Sequence, residues 1–122
     1  MNTQEVANQL VSLCREGKNM EAVQSLYADN IVSIEPAGAP VEVTEGKEAV
    51  IAKTQNFYSM VEEVHGGTVS DPTVVGDHFT VSMGMDITMK GMGRTEMNEI
   101  CVYEVKDGKI VREQFFFTPN QG

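Results

Sequence analysis

The stretch Phe79-Thr80-Val81-Ser82-Met83-Gly84-Met85-Asp86-Ile87-Thr88-Met89 alternates without a break. Its odd positions are all apolar, and its even positions are Thr, Ser, Gly, Asp and Thr. Period two over this length specifies a strand with one apolar and one wetted face. The pattern returns near the C-terminus, where Val111, Phe115 and Phe117 share one face and Arg112 and Gln114 the other. Between them lies a third strand over 97–105. Residues 79–117 are thus expected to form three consecutive strands curling into a half-cone. Two acids, Glu99 and Glu113, interrupt the apolar face.

The turns set which face each strand presents. Gly91-Met92-Gly93 and Asp107-Gly108 are the turn signals. A two-residue turn at Asp107-Gly108 would pair Lys106 with Lys109 and put Asn98, Ile100 and Val102 on the face of Glu113. A three-residue turn with Gly108 in a bulge would pair Val105 with Lys109 and put Met97, Glu99, Cys101, Tyr103 and Val105 there instead. We take the second. A three-residue turn at 91–93 matches Met83 with Cys101 and Met85 with Glu99, so both turns then agree on one apolar face.

Upstream, 2–16 reads as an amphipathic helix capped by Asn2 or Thr3, with Val6, Ala7, Leu10, Leu13 and Cys14 at helical spacing and Gly17 as its stop. A second helix begins near Asn19, carries Met20, Val23, Leu26 and Tyr27 on one side, and ends at Ala28-Asp29-Asn30. A short strand, Ile31 to Glu35, is stopped by Pro36. The loop 36–45 lies beside Glu35, as a lid or as an ordinary surface connection. A third helix starts at Gly46, with Val50, Ile51, Thr54, Phe57, Tyr58 and Val61 on its buried stripe. A strand over 65–75 follows, and Pro72 places it at an edge or bulge.

A chain of 122 residues with 41% hydrophobic content is long enough for one core and one domain, 1–122. Its formal charge of -9 and its nine scattered Lys and Arg argue against nucleic acid and against an anionic membrane surface. They favour a neutral or cationic ligand. The apolar runs are too short for a membrane span or a signal-peptide core. Cys14 and Cys101 have no metal spacing and read as reduced thiols of a cytoplasmic protein. No ligand spacing points to a metal, and no cofactor motif is found.

Helices first and a meander after them define an α+β domain: a cone-shaped, curved antiparallel sheet wrapped on three helices from the N-terminal half. The gap at the open end of such a sheet is a natural pocket. The runs Leu26-Tyr27-Ala28-Asp29-Asn30-Ile31, Glu35-Pro36-Ala37-Gly38, Gly46-Lys47-Glu48-Ala49 and Asp107-Gly108-Lys109-Ile110-Val111 resemble the SnoaL-like branch of the nuclear transport factor two-like superfamily, a cystatin-like roll. Ketosteroid isomerases and polyketide cyclases belong to it. The likeness covers nearly the whole chain.

The resemblance implies a general base at Glu35, the carboxylate before the proline that ends the first strand. Facing an apolar cavity, such a group is expected to hold its proton toward neutral pH. The isomerases' oxyanion donors, a first-helix tyrosine and a penultimate-strand aspartate, fall here at Val11 and near Cys101. The cyclases' His-x-Asp pair falls at Glu113 and Phe115. Neither set is present.

What is local to this chain is a convergence of Glu35, Glu99 and Glu113 on one pocket walled by Met83, Met85, Cys101, Phe57, Phe115 and Phe117, with Tyr103 deeper. Carboxyls sharing an apolar site cannot all ionise cheaply. One of Glu99 and Glu113 would then donate a hydrogen bond to a carbonyl while Glu35 takes a proton. The structural alternative pairs Glu113 with Arg94 or Arg112. His65 and His78 are expected as solvated residues at strand ends. The expected function is binding of a small apolar molecule, as a cofactor-free isomerase or cyclase. The rival is a non-catalytic ligand-binding or dimerisation module. The resemblance also implies a homodimer, for which Ile100, Val102 and Phe116 on the convex face are suited.

Overall fold

The computed structural model describes residues 1–118. Its elements are α1 (Thr3–Arg15), α2 (Asn19–Leu26), β1 (Tyr27–Ile34), β2 (Val43–Glu45), α3 (Lys47–Ser59), β3 (Val61–Val69), β4 (Thr73–Val75), β5 (His78–Met89), β6 (Gly93–Lys106) and β7 (Lys109–Phe116). The strands form one open sheet in the order β2-β1-β7-β6-β5-β3, with β4 also on β5. β3, β5, β6 and β7 pair antiparallel, and β1 joins β7 in parallel. The three helices cover the apolar face, giving the α+β architecture that the alternation implies.

Local chemistry explains the helix ends. The Asn2 side chain accepts the Glu5 N–H at 2.8 Å while the Glu5 carboxylate accepts the Asn2 N–H at 3.0 Å, a reciprocal cap on α1. Gly17 takes a φ of +76°, and Lys18 N–H returns to the Leu13 carbonyl at 2.8 Å, closing the other end. The face of α1 carrying Val6, Ala7, Leu10 and Val11 then packs into one core with Phe79, Val81, Tyr103 and Ile110 from the sheet.

Two helix ends differ from expectation, each because strand pairing overrides local propensity. α2 stops at Leu26, and Tyr27 opens β1 by pairing with Ile110. α3 stops at Ser59, and Val61 opens β3 instead of ending the helical stripe. The edge groups of β5 out to Met89 need partners, and Val61 and Glu63 supply them. Pro72 falls between β3 and β4, where no ladder hydrogen bond is lost.

The final hairpin corrects the turn and keeps the face. Lys106 pairs with Lys109, and Asp107 and Gly108 have φ of +53° and +77°, so the turn has two residues, as Asp-Gly favours. The register then slips: Val105 faces Ile110 but Glu104 faces Arg112, leaving Val111 as a bulge. The bulge restores parity, so Tyr103 faces Glu113 and Cys101 faces Phe115. At the preceding hairpin Met89 pairs with Gly93, so Met83 faces Glu99 and Met85 faces Met97. That is two residues from the expected register, a slip that leaves every side chain on its expected face.

Candidate functional site

The sheet's inner face is laid out in rows. Ser33, Glu113, Tyr103 and Phe79 are successive cross-strand neighbours, and all four are buried. Phe115, Cys101 and Val81 form the next row, and Glu99, Met83 and Val69 the one beyond. Burial loosens along this series: Glu113 is 2% exposed, whereas Glu99 and Met83 are only partly covered. Between the loosening rows and the helices lies a cavity of about 900 Å³.

All three carboxyl candidates, Glu35, Glu99 and Glu113, line this cavity. So do Phe57, Met83, Met85, Tyr103, Phe115 and Phe117. Cys101 does not: it is fully buried beneath the wall. The loop is shorter than expected, because 43–45 form β2 against β1; its residues 36–42 contribute nothing to the lining and are tied back by the Glu35 N–H on the Glu42 carbonyl at 2.8 Å. His65 lies within β3, not at its end, with Nε2 2.7 Å from Thr88 Oγ1 and Nδ1 3.2 Å from Glu63. His78 is exposed at the start of β5.

Glu113 pairs with no arginine. Arg94 binds Asp86 through two bonds of 3.0 and 2.8 Å, and Arg112, among the described residues, reaches Gln114. Instead the Tyr27 hydroxyl donates to Glu113 Oε1. Burial pushes Glu113 above the usual carboxylate range, against the pull of the Tyr27 and Ser33 hydroxyls and of Lys53. The same burial and the adjacent carboxyl drive the Tyr27 phenol well above its ordinary value.

Glu99 is pushed up to about 7, first by burial and then by repulsion from Glu35 and Glu113. A carboxyl so placed exchanges its proton near neutral pH. Burial and Glu113 also raise the Cys14 thiol, on the same cavity wall, to about 11, so it stays protonated and unreactive.

Glu35, expected only in the company of other carboxyls, has a cation beside it. Lys53 Nζ donates to Glu35 Oε1 at 3.2 Å and to Ser33 Oγ at 2.8 Å, and it stands 5.7 Å from the Phe115 ring centre. Sequence reasoning missed Lys53, Ser33 and the role of Tyr27. A signal was there for Lys53: with Val50, Thr54 and Phe57 it completes an i, i+3, i+4, i+7 face, so a cation had to enter the buried stripe. Ser33 likewise alternates between Ile31 and Glu35 on the inward side of β1. Among the described residues no group of three or more His, Cys, Asp or Glu is arranged to hold a metal ion.

A curved sheet closed by three helices over an acid-lined apolar cavity defines a class of small-molecule-binding α+β proteins. Within that class the chain belongs to the SnoaL-like domain family, whose model matches residues 1–117. A crystal structure from Mesorhizobium loti, of a protein assigned as a SnoaL-like polyketide cyclase, is 39% identical over 96% of this chain and 100% of that one, with a TM-score of 0.90. A protein from Pseudomonas putida assigned as a polyketide cyclase is 17% identical over 98% of this chain and 94% of that one, with a TM-score of 0.73. A ketosteroid isomerase-like fold from Catenulispora acidiphila, solved with trimethylamine, is 19% identical over 97% and 88%, with a TM-score of 0.74. These last two likenesses concern the fold. No curated protein matches the chain. Among the described residues no helix is long and apolar enough to cross a membrane.

Proposed function

We propose that this protein binds a small apolar carbonyl compound and transfers a proton on it without a cofactor, as an isomerase or cyclase. The observation that carries the reading is the convergence of Glu35, Glu99 and Glu113 on one largely apolar cavity, with Glu99 held near 7. Glu35 takes the proton from the carbon beside the carbonyl. The C–H electron pair moves into a C=C bond and the negative charge onto oxygen. Glu99, still carrying its proton, donates a hydrogen bond to that oxygen, and the proton on Glu35 returns to carbon. A module that only dimerises would have Met and Phe side chains filling the space. Here Met83, Met85 and Phe115 stand around an opening.

The test is hydrogen–deuterium exchange at the α-carbon of cyclic and aryl ketones in heavy water, followed by NMR. Wild type should accelerate exchange, with the rate falling as pH rises through about 7, where Glu99 loses its proton. Glu35→Gln should lose at least about a hundredfold, the usual scale of a general base. A ligand that binds in the cavity but shows no enhanced exchange would remove the enzymatic reading and leave a binding protein. We place the protein in the cytoplasm on the strength of its two free thiols, Cys14 and Cys101.

A further inference from the structure

Both oxyanion donors of the related isomerases are missing from this chain, yet the cavity contains a cation that the sequence reading did not assign. We propose that Lys53 forms an oxyanion-binding site, and that it takes the enolate oxygen of an enolisable ketone or the phenolate oxygen of a phenol.

The site is built rather than incidental. Lys53 sits on the inward face of α3 with Val50, Thr54 and Phe57. Its ammonium has three N–H donors, of which Ser33 Oγ at 2.8 Å and Glu35 Oε1 at 3.2 Å engage two. Among the described residues the third has no partner, and Lys53 lines the cavity where a ligand would meet it. Ser33 is fully buried and holds the ammonium from the strand side, so the cation is positioned before any ligand arrives. Phe115 presents its ring 5.7 Å from Nζ, and a flat ligand laid along that ring brings its polar edge toward the same nitrogen.

The pairing with Glu35 then becomes part of the chemistry. In an enolisable ketone the reacting hydrogen and the oxygen sit on adjoining carbons of one unit, a span that the 3.2 Å between Glu35 and Lys53 matches. Before transfer Lys53 is paired with the Glu35 carboxylate. As the proton moves to Glu35, the negative charge leaves the carboxylate and arrives on the ligand oxygen. Lys53 remains beside it throughout. No charge is created or stranded in the cavity, so the low dielectric that would oppose an isolated enolate does not oppose this exchange. For a phenol the O–H bond breaks, the proton goes to Glu35, and the oxygen keeps the electron pair against Lys53. With Glu99 as the neutral donor of the proposed mechanism, Lys53 is the second, charged donor. Its role rests on the carbonyl reading above, but binding of a phenol tests it without turnover.

The experiment titrates wild type with 4-nitrophenol, below the pH at which the free phenol ionises, and reads the phenolate absorption band of the bound form. Wild type should bind nitrophenol as phenolate. Lys53→Met should cut the bound phenolate-to-phenol ratio by at least about tenfold, the equivalent of one pKa unit. Lys53→Arg, which keeps the charge, should restore part of it, and circular dichroism of both variants checks the fold. No nitrophenol binding to wild type, binding without the phenolate band, or an undiminished band in Lys53→Met overturns the proposal. Ketone exchange separates the two ideas. A Lys53-dependent phenolate band without exchange defeats the enzymatic reading and keeps the oxyanion site. Exchange that survives in Lys53→Met does the reverse.

Discussion

Replacing Glu99 by Gln should erase a pH-dependent instability that the wild type carries. Unfolded, Glu99 titrates near 4.5, and in the folded cavity it titrates at about 7. The folded state therefore binds more protons than the unfolded chain between these values, and stability falls as pH rises through that window. The stabilising proton is fully in place below 4.5 and gone above about 7. A carboxyl moved that far corresponds to roughly 3 kcal/mol of folding free energy. Gln has nearly the same shape and no titration, so the variant escapes this loss. Urea unfolding at a series of pH values from 4 to 8 measures it. The stability of Glu99→Gln minus that of wild type should grow by about 3 kcal/mol from the acidic end to the alkaline end, with m-values unchanged. Glu113, also raised by burial, contributes in the same direction in both proteins, and losing the Glu99 charge also removes its repulsion of Glu113, so that coupling is part of the difference. Two parallel stability curves would show that Glu99 is solvated in the folded protein, and the acid-lined cavity would no longer explain its chemistry.

Tyr27→Phe removes the donor to a carboxyl that is only 2% exposed, and should cost about 1–3 kcal/mol in urea unfolding, the usual penalty for a stranded buried polar group. That loss should shrink in a Tyr27→Phe/Glu113→Leu double variant, where no acceptor is left unpaired. We also propose a homodimer through the convex face, where Ile100 and Phe116 are cross-strand partners exposed at 51% and 49%. Sedimentation at micromolar concentration should show a dimer in wild type and a monomer in Ile100→Glu, and a monomeric wild type would withdraw the proposal.

Much of the scaffold was legible in the chain because strand alternation and turn residues are local signals. The odd positions of 79–89 announced the inner face of β5, and Asn2, Gly17 and Asp107-Gly108 marked ends and turns by their own backbone preferences. Even the misjudged final turn left the right side chains together, because apolar burial of Cys101 and Tyr103 demanded that parity and a bulge at Val111 supplied it. Carboxyls at odd positions beside Met and Phe were visible for the same reason.

The partners of those carboxyls were not legible, because pairing across the fold has no local signature. Tyr27 reaches Glu113 only because a parallel ladder draws β1 against β7 and turns Tyr27 from a helix into a strand. Lys53 meets Glu35 and Ser33 only where α3 crosses β1, eighteen residues from one and twenty from the other. Sequence alone determined that acids would face an apolar hollow. Which of them holds a proton and which meets a cation was decided by tertiary packing, since charge state depends on what lies within a few ångströms in space.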